Sequence, residues 1–288
     1  MNNHAYLPSE KLRTHVVGYV IMDNDFSHRK REIGMDIYPN GLSGLSITFG
    51  DGYTYEDASG RRTNYGAGTV AIGLHNSIFR LLPSATQKHF VVALKPGVLP
   101  KLLKVPMHEL HNRLADLDTF IHLETELPER LSLASTDAEQ VAIVEEWLLG
   151  KLGQIPVHRD IAGCAASDII RHSGNVRITE LCRQYGVNKR YLERKFRENI
   201  GVAPKQFSEI MKLNTVIDLL VSAPSNPWLT ISAEAGFTDY SHLRKHTEKF
   251  TRYSPQLLRQ KLWQSHAEGL LSNNPGVFNS FCMLDADT

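Results

Sequence analysis

Residues 178–207, ITELCRQYGVNKRYLERKFRENIGVAPKQF, constrain the chain most, because their grammar is used twice. Ile178, Leu181 and Cys182 make a small apolar face, and Gly186 stands where a chain reversal calls for positive φ. Asn188 sits at an N-cap, where a side-chain oxygen accepts from the free N–H groups of the next turn. The helix that follows turns Leu192 and Phe196 inward and carries Lys189, Arg190, Arg194, Lys195 and Arg197 on its remaining surface. About fifty residues later Trp228 takes the place of Ile178, Ile231 that of Leu181, Ser232 that of Cys182 and Gly236 that of Gly186. With one extra residue after the turn, Leu243 then matches Leu192, Lys245 matches Arg194 and Pro255 matches Pro204. Asn226 and Pro227 supply a cap and a first helical residue for the second copy. A short helix, a Gly turn and a basic second helix suit entry into a DNA major groove, and two copies in register are a far stronger signal than one.

On the segments LERKFRENIGVAPKQF (192–207), AGFTDYSHL (235–243) and the SP pair at 254–255, residues 159–262 resemble the DNA-binding region of AraC/XylS-type transcription regulators. The resemblance implies two helix-turn-helix motifs joined by a long helix, binding to double-stranded promoter or operator DNA, and RNA polymerase as a partner. It places base-reading residues at Arg190, Glu193, Arg194, Tyr240, Ser241, Arg244 and Lys245. Thr247 and Thr251 stand where that family usually has large apolar residues, Arg252 where it has a small residue or Gly, and Lys212 where Arg is common.

Charge is distributed to match. Residues 1–157 hold 15 Lys and Arg against 18 Asp and Glu, residues 158–262 hold 17 against 10, and the tail holds none against 3. A formal net charge of +1 thus hides a basic module beside an acidic remainder. At 288 residues the chain has room for about two domains. Cys164, Cys182 and Cys282 are an odd, scattered set that suggests neither a disulfide framework nor a metal knuckle. Without a signal peptide or an apolar run of spanning length, the expected location is cytoplasmic.

The expected class is α+β. Residues 1–105 read as a β-rich, cupin-like regulatory domain, a small antiparallel barrel or a double-sheet roll. HVVGYVIMD (15–23), LSITFGDGYTYED (45–57), GTVAIGL (68–74) and KHFVVALKPG (88–97) are its strand segments, with turns at Asn40-Gly41, Asp51-Gly52 and Ser59-Gly60. VVALKPGVLPKLLKVPMHELHNRLADLDTFI (91–121), with PSEKLRTHVVGYV (8–20) and YPNGLSGLSITF (38–49), resembles an uncharacterised sensor-like domain placed before this type of DNA-binding module. From 106 to 156 the periodicity is helical, with Val141, Val144, Trp147, Leu148 and Leu152 on one side, suited to packing under the first domain or to forming a homodimer. Gln154, Pro156 and Val157 look like a linker, 157–266 is the DNA-binding domain, and 267–288 is a loose tail.

The exposed face of the first reading helix is Lys189, Arg190, Glu193, Arg194 and Arg197; that of the second is Tyr240, Ser241, Arg244 and Lys245, with Thr238 as its cap. Arg reads guanine O6 and N7 bidentately, which makes Arg190 and Arg194 the leading base readers. Lys205 and Lys212 suit phosphates or water. No catalytic constellation emerges. His108 and His111 lack a third metal ligand, and the Gly-rich pieces lack a phosphate-binding context, so neither enzyme activity nor a metal nor a cofactor is expected. Tyr38, Phe49, Tyr53, Tyr55, His75 and Arg80 are candidates for a small-molecule effector pocket. The alternative makes the N-terminal region a protein-interaction platform without a ligand.

Overall fold

The computed structural model describes residues 2–28, 34–120, 126–152 and 160–267. Their strands are β1 (Asn2–Tyr6), β2 (Val16–Asp25), β3 (Met35–Ile37), β4 (Ser43–Thr48), β5 (Tyr53–Glu56), β6 (Arg62–Tyr65), β7 (Gly68–Ile72), β8 (Phe79–Pro83), β9 (Thr86–Leu94) and β10 (Leu114–Asp116). The helices are α1 (Leu99–Leu103), α2 (Glu126–Leu133), α3 (Asp137–Leu152), α4 (Ile161–Arg171), α5 (Ile178–Gln184), α6 (Lys189–Asn199), α7 (Pro204–Ser222), α8 (Trp228–Glu234), α9 (Tyr240–Thr251) and α10 (Pro255–Ala267). The class is α+β. No helix among the described residues is long and apolar enough to cross a membrane.

Every described strand pairing is antiparallel. Among the described residues the strands make a six-stranded sheet, in order β1-β2-β9-β4-β7-β10, and a four-stranded sheet, in order β3-β8-β5-β6. No ladder closes them into a barrel, so of the two expected forms the structure takes the double-sheet roll. The period of two in the central strands explains the layering. Tyr19, Ile21, Leu45, Ile47, Phe90, Val92 and Leu94 join one core, shared with Leu99, Leu131, Val144 and Leu148 of α1 to α3. The intervening residues Val20, Met22, Ser46, His89 and Val91 line a cavity on the other side of the same sheet. Tyr53, Tyr55 and Phe79 of the smaller sheet form a separate aromatic cluster.

Val144, Leu148 and Leu152 of α3 are buried in this first core, with Val141 and Trp147 packed against it. The apolar stripe read from the sequence therefore packs within the chain. The helical periodicity read from 106 onward is corrected over its first stretch. Met107–Glu109 is a single 3-10 turn, and Leu114–Asp116 adds an edge strand to β7. Asn112 takes φ 56°, which ends any helix there, and the sheet edge offers ladder partners that a free helix would not. The linker expected at Gln154, Pro156 and Val157, and the tail from 268, lie outside the described residues.

The C-terminal helices wrap around α7, which buries Phe207, Ile210, Met211, Leu213, Val216, Ile217 and Leu220. Pro204 opens α7 at a position that needs no N–H, and its long buried stripe gives both helix pairs one common spine.

Candidate nucleic-acid interface

The first cationic helix face is that of α6. Gly186 takes φ 64° in the preceding turn, and Asn188 Oδ1 accepts from the Tyr191 N–H at 2.8 Å. Leu192 and Phe196 are fully buried, which aims Lys189, Arg190, Arg194 and Arg197 into solvent. The buried carboxylate of Asp168 on α4 fixes the helix in front. It accepts from Gln184 Nε2 at 2.9 Å, Tyr185 Oη at 2.5 Å and Arg171 Nη1 at 2.8 Å.

The corresponding helix of the second copy, α9, repeats this construction. Gly236 takes φ 74°, and a Cβ there would come within 2.0 Å of Asn175 Oδ1. The cap is Asp239, whose Oδ1 accepts from the His242 N–H at 2.8 Å, and not Thr238 as the sequence suggested. The extra residue shifts the cap by one, and a carboxylate accepts more strongly than a hydroxyl at a helix N-terminus. Likewise Pro227 is itself the N-cap of α8, so the helix starts one residue later than expected, and Asn226 lies outside it. Leu243 is fully buried, while Ser241, Arg244 and Lys245 are exposed. Tyr240 is half-buried, its ring 5.7 Å from that of Trp228.

Thr247 and Thr251 are fully buried, yet the second copy keeps its packing. Their hydroxyls donate to the carbonyls of Leu243 at 2.9 Å and Thr247 at 2.8 Å, so no polar group is stranded, and Phe250 fills the core beside them. Arg252 caps α9 with φ 62°, the position that Gly201 occupies with φ 99° after α6. Lys212 is spoken for within the module: Nζ donates to the Gly236 carbonyl at 3.2 Å and lies 5.6 Å from the centre of the Phe237 ring. Lys205 stays exposed.

The exposed faces of α6 and α9 hold their cations loosely. Arg194 pairs with Glu198 at 2.9 Å, Arg244 with Glu248 at 2.7 Å and Lys189 with Glu193 at 3.8 Å. Hydrogen bonds from Lys195 and then Arg194 hold the Glu198 carboxyl below its usual range. Glu193 thus neutralises Lys189 and does not orient Arg190 or Arg197. Such exposed pairs are worth under about 1 kcal/mol, less than a bidentate contact to a base or phosphate. Tyr191, absent from the sequence-based set, is 37% exposed on the same face, with Arg194 over its ring at 5.2 Å. An aromatic among cations at an exposed helical position was its signal.

The N-terminal unit meets this module at several points. Asp36 accepts from Arg80 Nε at 3.0 Å and from Tyr253 Oη at 2.9 Å, with Lys261 Nζ at 3.4 Å. The Ile78 N–H donates to the Phe250 carbonyl at 3.1 Å, and Asn214 Nδ2 donates to the Asn40 carbonyl at 2.8 Å. The 3-10 turn at Met107–Glu109 borders α6: a Cβ on Gly201 would lie 3.1 Å from the Met107 carbonyl, and His108 shares a hollow with Arg190, Arg194 and Arg197.

Between the two sheets lies a cavity of about 230 Å³. Tyr38, Tyr53 and His75 from the sequence-based set line it. Phe49 packs instead against the helix-covered core, Tyr55 Oη sits 3.2 Å from His75 Nε2 behind the wall, and Arg80 is engaged with Asp36. Asp36 and His89 were missed, although strict alternation in KHFVVAL places His89 on the face opposite Phe90 and Val92. Ile217 and Val221 of α7 and Leu262 and Ser265 of α10 complete the wall, so the DNA-binding module closes the cavity.

Tandem capped helices with exposed cationic faces, set on one spine, define a DNA-binding transcription regulator. Residues 181–261 match the helix-turn-helix domain family, and the C-terminal unit is a helix-turn-helix domain of the AraC/XylS type. Residues 4–116 match a family described as a domain of unknown function, DUF6597. No curated protein matches the chain. Among solved structures, ToxT from Vibrio cholerae is 14% identical with a TM-score of 0.48, over 85% of this chain and 98% of that one. Unsaturated fatty acid-bound wild-type ToxT from the same organism is 15% identical with a TM-score of 0.45, over 83% and 94%. The AraC-like transcriptional activator CuxR is 11% identical with a TM-score of 0.24, over 89% and 90%.

Proposed function

We propose that this chain is a sequence-specific double-stranded DNA-binding regulator that sets α6 and α9 into successive major grooves on one side of a duplex. The supporting observation is the repeated construction itself: cap, buried Leu and exposed cations recur in both helices at a constant offset. Successive major-groove entries on one face are roughly 34 Å apart, and one rigid helix, α7, is the connection. Arg190, Arg194, Arg244 and Lys245 read bases, with Glu193, Tyr240 and Ser241 beside them; Lys189 and Arg197 serve phosphates as well.

Residues 1–105, extended by the edge strand Leu114–Asp116, are the regulatory unit, the remainder to 156 is the connection that carries α2 and α3, 157–266 is the DNA-binding unit and 267–288 a tail. Control runs through a small-molecule effector held in the intersheet cavity. Its support is that α7 and α10 form part of the cavity wall, so an occupant touches the DNA-binding module directly. Homodimerisation and contact with RNA polymerase complete the regulator.

Gel-shift titration of the full chain on footprinted promoter fragments, at several salt concentrations, tests this. Binding should weaken steeply as salt rises, because each neutralised phosphate releases counterions. Salt-independent binding, or footprints covering a single groove, would overturn the two-groove reading.

A further inference from the structure

The cavity between the sheets specifies the chemistry of its occupant. Its wall is mostly apolar: Val20, Met22, Ile37, Leu42, Phe79 and Val91 face it. Two polar atoms there have no hydrogen-bond partner among the described residues, Tyr53 Oη from β5 and His89 Nε2 from β9. Both side chains are almost wholly buried, at 4% and 2% exposure, and their rings are in contact, 5.1 Å between centroids, where the two sheets meet. A buried polar group left unpaired costs about 1–3 kcal/mol, so the pair is unfavourable for the fold alone and favourable for a ligand that satisfies it.

Charge narrows the choice. No Lys or Arg lines the cavity among the described residues. His75 and His89 are held neutral, burial pushing both imidazoles down to about 4. Asp36, the one carboxylate in the lining, already faces Arg80 and Lys261. An anionic ligand would find no cation, and a cationic one would compete for a carboxylate that is already paired. Burying an unpaired charge is far more costly than burying a hydrogen-bonded neutral group.

We propose, building on the effector reading above, that the cavity takes an uncharged, largely apolar molecule of about ten non-hydrogen atoms, whose single polar end meets Tyr53 Oη and His89 Nε2 at the wall that their contact forms. His75 is not part of this grip. Its Nδ1 lies 2.8 Å from the Gly73 carbonyl and its Nε2 is 3.2 Å from Tyr55 Oη, so both ring nitrogens are engaged.

Three probes of equal heavy-atom count separate the possibilities: acetophenone, 1-phenylethanol and benzoate. Each is titrated into the full chain by calorimetry and thermal shift, with the His89 imidazole followed by NMR and assigned with His89→Phe. At least one neutral probe should raise the melting temperature and shift the His89 resonances, and benzoate should bind at least tenfold more weakly. Tyr53→Phe should raise the melting temperature of the free chain, since it deletes an unpaired hydroxyl, and should weaken the neutral probe several-fold. Benzoate binding as tightly as the neutral probes would refute the proposed class while leaving an effector site in place. Neutral binding that leaves His89 unmoved and is indifferent to Tyr53→Phe would refute the proposed grip. If none of the three saturates the cavity at millimolar concentration, the effector reading itself falls, and the class with it.

Discussion

Tyr253 Oη donates to Asp36 Oδ2 at 2.9 Å, tying the connection between α9 and α10 to the short strand β3. Arg80 and Lys261 approach the same carboxylate from the two sides of the junction. One acid therefore joins the N-terminal sheets to the DNA-binding module at the rim of the cavity that both enclose. Replacing Asp36 with Ala should destabilise the chain by about 1–3 kcal/mol, the usual worth of hydrogen bonds to a charged group. Thermal denaturation would show a fall of several degrees, and Tyr253→Phe a smaller one.

Arg194→Ala and Lys245→Ala should each weaken binding to a footprinted site by about 1–3 kcal/mol, roughly five- to 150-fold. If both helices engage one duplex, the two losses add in the double variant, because distant sites behave independently. Gel-shift measurement of the full cycle checks this. A silent substitution in either helix would mean that its copy of the motif does not read DNA.

Arg252→Gly should stabilise the chain. Arg252 holds φ 62°, where an L side chain crowds its own carbonyl, and Gly201 shows what the same corner of the first copy uses. The gain is about 0.5–1 kcal/mol after the added freedom of Gly in the unfolded chain is discounted. Chemical denaturation measures it, and an unchanged midpoint would show that the corner carries no strain.

Acid should destabilise the fold from about pH 6.5 downward. His75, His89 and His246 are buried, and desolvation lowers each imidazole from 6.5 to about 4. Between those values the unfolded chain binds protons that the native chain refuses, so stability is highest above pH 6.5 and is lost as pH falls toward 4. Each group contributes about 1.4 kcal/mol per pH unit in that window. Among the described residues both ring nitrogens of His246 lack partners, between Phe237 and Phe250 at ring distances of 4.9 and 5.0 Å. His246→Leu should accordingly raise the melting temperature at pH 5 by more than at pH 7.5.

The helix pairs were legible because they are local. A Gly at a positive-φ turn, an N-cap and an inward Leu each act within a few residues, so Gly186, Asn188 and Leu192 carry their meaning in their spacing. The second copy strained that logic by one residue, and its cap moved from Thr238 to Asp239. The segment 107–116 failed it altogether, since its helical periodicity lost to the free edge of β7, which lies more than thirty residues away in the chain.

The doubled helix pair, the alternation of the strands and the concentration of basic charge near the carboxyl end could be read along the chain, because propensity, capping and period depend on neighbours in sequence. That Tyr53 and His89 meet across two sheets, that Asp36 anchors Tyr253, and that α7 and α10 wall the cavity became visible only in the folded molecule. Those relations join residues far apart in sequence, and burial, the quantity that gives them their energetic weight, exists only once the chain has closed on itself.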